Sequence, residues 1–262
     1  MKKRITPAQR RRQDYLRRKG LKVGEVYVSR LKALRRREVR RVLGVCMDTG
    51  DVSAWPRIIE NELSEAGYIY DWHTGLYLQA GLPNAKSVAR DLSRGKADNP
   101  SGIWEREIRA FAQERAGHNV VSLSGTLRNA LISLLEEEIE QDINRGVESL
   151  SKAVFSRFNG ELLEWQCRRI AQTETMVALA ESGNSAAKSL DVSFTKEWCI
   201  SGVGNTRDSH AAMDGVVVDE DDFFEVEGEE GQVLMLYPHD GSMGAPAGEI
   251  INCACSCIRM PK

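Results

Sequence analysis

The residues best equipped for chemistry lie in the last third of the chain. Thr206-Arg207-Asp208-Ser209-His210 leads to Met213-Asp214-Gly215, and Asn252-Cys253-Ala254-Cys255 follows, with Trp198 upstream and Cys257 just beyond. Imidazole nitrogen and thiolate sulfur are the donors a tetrahedral zinc ion prefers, so His210, Cys253, Cys255 and Cys257, with His239 at the margin, form a ligand set to weigh. Spacing speaks against it. Structural zinc ordinarily uses a C-x₂₋₄-C knuckle, and cysteines two apart on a strand share one face without curling around an ion. We therefore favour no metal and no cofactor. The cysteines read as small, buried, reduced packing residues on a terminal strand, with His210 hydrogen-bonded nearby and zinc as the alternative. Asp208-Ser209-His210 invites a hydrolase reading, but a triad is assembled from positions separated in sequence, so no residue is assigned as catalytic; His239-Asp240 has the same weakness. The acidic run from Glu220 to Glu230 lacks the order of a calcium-binding EF-hand loop and reads as a solvated hairpin.

The elements that must hold these residues are legible in outline. Val192-Ser193-Phe194, Val216-Val217-Val218, Val233-Leu234-Met235-Leu236-Tyr237 and Ile250-Ile251 are short β-prone runs separated by turns, which predicts a small antiparallel sheet. Ahead of them the chain is helical. Thr6-Pro7-Ala8-Gln9 is a capping-box start, and Gly20 is expected to end that first helix. A second basic helix is expected over 25–43. Between Ala54 and Gly117 short helices are expected, broken at Gly67, Gly81-Leu82-Pro83, Gly95 and Asn99-Pro100-Ser101-Gly102. His73 and His118 have no ligand-type neighbours at metal spacing and read as packing or surface residues. An amphipathic helix is expected over 127–145, and two more reach towards Gly183. The fold class is α+β: a mostly helical N-terminal two-thirds and a small C-terminal antiparallel sheet. The expected organisation is a basic helical arm (1–45), a helical region (46–123) and a C-terminal domain (124–262), itself a helical lead-in (124–183) and an α+β part (184–262).

Composition adds a charge asymmetry. The formal net charge is -2, yet residues 1–45 carry +14 and the remainder -16. Such an excess attracts polyanions or acidic protein surfaces over about 8 Å at physiological salt. Arg10, Arg11, Arg12, Arg17, Arg18, Arg35, Arg36, Arg37, Arg40 and Arg41 are the residues expected to contact DNA or an acidic partner. Six cysteines are too sparse for a disulfide scaffold. No apolar run approaches a membrane span or a secretory signal, so no membrane partner and a cytoplasmic setting are expected.

Taken in order, "W…TRDSH..MDG..V…F…P…GEIINC.C" resembles the C-terminal domain of phage Mu F-like minor head proteins, and Ile170-Ala171-Gln172-Thr173-Glu174-Thr175 resembles that family's "IARTE" segment. The likeness runs from about Ser124 to Cys257. Ala254 stands where the family usually has arginine. The resemblance implies a non-enzymatic minor head protein of a tailed bacteriophage or prophage. It would act in procapsid assembly and the virion, in a bacterial cytoplasm, with portal, capsid and scaffold proteins as partners and DNA as a further contact. It also implies that Trp198, Arg207, Asp208, His210, Asp214, Gly215, Asn252, Cys253 and Cys255 form one patch. Two other classes stay open: an enzyme or toxin-like domain using His210, Asp208 and the cysteines, and a DNA-binding protein driven by the basic arm.

Overall fold

The computed structural model describes residues 5–63, 68–93, 101–201 and 206–262. Six long or medium helices come first: α1 (Pro7–Thr49), α2 (Trp55–Glu62), α3 (Tyr68–Leu92), α4 (Ser101–Gln141), α5 (Val147–Arg157) and α6 (Leu163–Lys188), with a π-helical turn between the last two. The C-terminal part adds β1 (Phe194–Cys199), the one-turn helix α7 (Asp208–Ala211), β2 (Val217–Asp219), β3 (Phe224–Gly228), β4 (Gly231–Met235), the one-turn helix α8 (Ala247–Ile250) and β5 (Ser256–Pro261). The α+β reading holds, with two sheets in place of one. β2-β1-β5 is antiparallel throughout, and β3-β4 is a separate hairpin.

Helix α1 starts where its capping box predicts: Thr6 N–H donates to Gln9 Oε1 (2.8 Å) and Gln9 N–H to Thr6 Oγ1 (3.2 Å). It does not stop at Gly20. A Cβ on Gly20 would meet Leu179 Cδ1 at 2.8 Å, and one on Gly24 would meet Thr175 Oγ1 at 2.6 Å, so these glycines admit α6 at close range. Gly81 plays the same part in α3, where an added Cβ would stand 3.1 Å from Ser182 Cβ, and α3 runs on through Pro83. The glycines read as helix stops are thus helix contacts. Gly67, Gly95 and Asn99-Pro100 lie outside the described residues, as does the side chain of His118. His73 is buried, its ring 5.0 Å from that of Trp72.

The described chain forms two compact units. One comprises Met1–Glu25, Gly75–Ala112 and Arg169–Lys262; the other comprises Val26–Thr74 and Gln113–Arg168. The second unit is helical, with Tyr27, Leu31, Trp55, Ile59, Trp72 and Leu131 buried. There Trp72 Nε1 donates to the Tyr27 carbonyl (2.9 Å). The first unit carries both sheets. Its β1 is the central strand of three and buried along its whole length. A core of Trp198, Met213, Phe224, Val226, Met235, Tyr237, Cys253, Cys255 and Cys257 fills the space beside it.

Candidate functional site

Four local elements converge on one point of that core. β1 delivers Trp198, α7 delivers His210, α8 delivers Glu249, and the turn after α8 delivers Cys253 and Cys255. Val217–Asp219 alone form β2, but Ile250-Ile251, expected as strand, are a helical end and a turn. Asn252 then adopts φ +61°, a left-handed conformation that asparagine tolerates better than most residues. Because β5 begins only at Ser256, Cys253 and Cys255 lie in no strand. The chain curls there, and both sulfurs face the same imidazole: Cys253 Sγ is 3.3 Å and Cys255 Sγ 3.6 Å from His210 Nδ1. The expectation of cysteines sharing the face of a terminal strand is corrected by this turn. His210, Cys253 and Cys255 together form a group able to hold a metal ion, their donor atoms all within 4.8 Å of one another; Cys257, within β5 opposite Trp198, is not part of it.

Buried neighbours hold the cluster. His210 Nε2 stands 2.9 Å from Glu249 Oε2, off the line of a straight hydrogen bond, and Ser209 Oγ donates to the same oxygen (3.1 Å). Trp198 packs edge-on against the His210 ring (5.3 Å) and against Phe224 (5.3 Å). The Cys255 N–H donates to Cys253 Sγ (3.3 Å). The side-chain hydrogen bond from the Cys255 thiol holds the Cys253 thiol well below its usual range, opposed by burial and helped by His239 and His210. The same partnership and burial push Cys255 up. His239 is fully enclosed; burial favours its neutral form, but Cys253 and nearby carbonyls prevail and raise it. Deeper in β1, Lys196 donates to the carbonyls of Asp222 (2.8 Å) and Leu236 (3.0 Å), and burial lowers it to about 8.

The expected patch residues fall in this neighbourhood. Arg207 Nη2 donates to the Ile251 carbonyl (2.6 Å), Gly215 N–H at φ +78° donates to the Trp198 carbonyl (2.9 Å), and Asn252 N–H donates to Thr173 Oγ1 (3.1 Å). Asp214 Oδ1 accepts from Ile200 N–H (3.0 Å) and from Arg10 (2.6 Å). Asp208 opens α7 and is exposed. Sequence reasoning quoted Glu249 within the GEIINC motif but gave it no role. Its signal was present: a carboxylate four residues before Cys253 in a segment otherwise apolar.

A second feature of the same unit is open to solvent. A cavity of about 590 Å³ is lined by Met213, Val216, Val218, Asp221, Asp222, Phe223, Glu225 and Leu234. The acidic run is indeed a hairpin: β3 buries Phe224 and Val226 and exposes Glu225 and Glu227. Its exposed side forms one wall of this groove.

The arginines chosen as a binding surface are mostly engaged within the fold. Arg10 pairs with Asp214, Arg12 with Asp91, Arg17 with Asp14 and Arg41 with Glu38 and Glu62. Arg35 donates to the Leu123 carbonyl and Arg36 to Asn159, while Arg40 lies over the Phe155 ring. Arg17 and Arg35 are buried; Arg11, Arg18 and Arg37 are exposed. Residues 7–45 are part of one continuous helix packed into the fold. Among the described residues, no helix is long and apolar enough to cross a membrane.

No family model and no solved structure matches the chain. Among curated proteins it is 27% identical over 205 residues to NAD(+)--arginine ADP-ribosyltransferase EFV of Enterococcus faecalis (strain ATCC 700802 / V583), an alignment covering 70% of this chain and 41% of that protein. The chain thus spans about two fifths of the length of this relative. The finding overturns the expectation of a phage Mu F-like head protein and of a non-enzymatic role in head assembly, because the relative bears the name of an enzyme and nothing supports the head-protein family. It favours the class left open beside it, an enzyme or toxin-like protein.

Proposed function

We propose that this chain is the substrate-engaging part of an enzyme or toxin-like protein that transfers ADP-ribose from NAD+ to arginine side chains. The observation that carries this reading is the 205-residue similarity to a protein named for that reaction. The acidic groove supports it chemically. In such a transfer the bond between the ribose C1′ and the nicotinamide nitrogen breaks, and nicotinamide leaves with the bonding electron pair. A guanidinium nitrogen then bonds to C1′ and gives up a proton. Carboxylates serve each stage: they grip a guanidinium in paired hydrogen bonds, steady the positive charge developing on the sugar, and accept the proton. Asp221, Asp222 and Glu225 line one groove together with Phe223 and Leu234, each 36% exposed and able to cover a flat aromatic ring. The groove's volume falls within the ~300–1,000 Å³ usual for small-molecule sites.

The His210 cluster has another role on this reading. His210, Cys253 and Cys255 are between 1% and 3% exposed, so no dissolved substrate reaches them. The enzyme class is kept, and its chemistry moves from the His/Cys motif to the groove. Nicotinamide release from NAD+ by the purified chain, measured with and without a small guanidino compound as acceptor, tests this. Release that rises with acceptor and falls about 10²-fold or more in Glu225→Gln supports it. A folded chain that releases none in either condition contradicts it.

A further inference from the structure

We propose that His210, Cys253 and Cys255 bind a structural zinc ion, with His239 as the fourth ligand. This inference is independent of the transfer reaction.

Geometry supplies the first argument. Zinc bonds of ~2.0–2.1 Å to nitrogen and ~2.3 Å to sulfur, at tetrahedral angles, place N and S about 3.5 Å apart. His210 Nδ1 lies 3.3 Å and 3.6 Å from the two sulfurs. Hydrogen bonding accounts for only one of these contacts. A neutral imidazole nitrogen has a single lone pair and accepts one S–H, whereas here two thiols converge on the same atom. A cation at the centre of the three donors satisfies all of them. The outer contacts agree with this. Glu249 Oε2 stands 2.9 Å from His210 Nε2, the place a carboxylate takes behind a metal-ligating imidazole. The Cys255 N–H donated to Cys253 Sγ favours a thiolate there.

Ligand chemistry selects the metal and the fourth donor. Two sulfurs and nitrogen in a tetrahedral arrangement suit zinc, and a site closed to solvent is the structural kind, with four protein ligands. Two thiolates cancel the charge of the ion, and Cys257, within β5 opposite Trp198, stands outside the donor group. His239 is 2% exposed, its Nε2 faces the Cys255 carbonyl at 3.1 Å, and its ring also interacts with the Cys253 side chain. It lies outside the 4.8 Å group, so closing the fourth corner takes a rotation of its side chain on binding. Binding the ion releases the two thiol protons.

The test uses the full chain purified without chelators, its metal content read by elemental analysis. About one equivalent of zinc is expected, falling to near zero in Cys253→Ser and His210→Ala, and chelation is expected to lower the melting temperature. Cys257→Ser should keep its zinc, while His239→Ala should bind it at least 10-fold more weakly. Should the ligand variants fail to fold, cobalt titrated into the chelated wild-type chain gives a second reading: a thiolate-to-cobalt absorption band with tetrahedral ligand-field intensity is expected. Folded protein with less than roughly a tenth of an equivalent of zinc and no cobalt–thiolate band overturns the site. A disulfide between Cys253 and Cys255 in the native protein does the same. Zinc lost in Cys257→Ser and unaffected in His239→Ala overturns the fourth ligand.

Discussion

The same unit holds two polar sites that differ in almost every physical respect. Around His210 the donors are buried, drawn together within a few ångströms and backed by Trp198, Glu249 and Thr173. Around Asp221, Asp222 and Glu225 the carboxylates are exposed and set beside accessible apolar surface. Buried donors gathered on one point can hold a fold together, whereas exposed groups of like charge leave interaction energy available to something that arrives. On the proposed function, the motif richest in reactive side chains is structural and the plainer acidic hairpin is where a substrate would dock.

Breaking the buried site should have the largest effect. Trp198 is fully buried between His210 and Phe224, so Trp198→Ala should cost about 3–5 kcal/mol in chemical denaturation. If that cost is below about 1 kcal/mol, the claim that the cluster is a packed structural centre fails. A matched glycine pair probes the helix that supports it. Gly24→Ala drives a Cβ into Thr175 Oγ1, on the helix whose Thr173 holds Asn252; the expected net loss is about 1–3 kcal/mol. Gly44→Ala meets nothing within 4 Å and should stabilise by about 0.5–1 kcal/mol, the ordinary helix-propensity gain. Opposite signs are the expected outcome, and equal shifts would remove the close-packing explanation.

Lys196 links the two sites, since it donates to the carbonyl of the groove residue Asp222 from within the core. Its folded pKa of about 8 lies below the ordinary 10.5 because burial disfavours the ammonium. The unfolded chain therefore holds more protons between pH 8 and 10.5, and this group's contribution to stability rises with pH across that window, by about 1–2 kcal/mol. Measured against Lys196→Met, which lacks the titration, the wild type should gain stability over that interval; parallel curves would show the lysine to be unperturbed. Smallest of all should be the effect of Glu225→Gln on stability, within about 0.5 kcal/mol, because the side chain is exposed.

Much of this was legible in the sequence. The capping box at Thr6 and the β-prone runs at Val216 and Val233 correspond to observed elements, and of the separated motif residues Trp198, Cys253 and Cys255 lie against His210. What failed did so for identifiable reasons. A glycine that ends a helix and one that admits a neighbouring helix look alike until the neighbour is known, so Gly20 and Gly81 were misread. Alternation on a strand is a sound rule for cysteines two apart, but the Asn252 turn takes Cys253 and Cys255 out of any strand. The partners Asp214, Asp91 and Glu62, distant in sequence, could not be read from the charge along residues 1–45; they pair with Arg10, Arg12 and Arg41, while Arg11, Arg18 and Arg37 stay exposed. Family resemblance over short motifs pointed to head assembly, and the longer alignment is to a protein named as an enzyme.

The most direct measurement is to incubate the purified chain with NAD+ and an arginine-bearing acceptor protein and to locate ADP-ribose on the acceptor by mass spectrometry, with Glu225→Gln alongside. The account predicts ADP-ribose on arginine with the wild type and its loss in a variant that melts at the same temperature. An acceptor left unmodified by the folded wild type, or modified equally by Glu225→Gln, would contradict it.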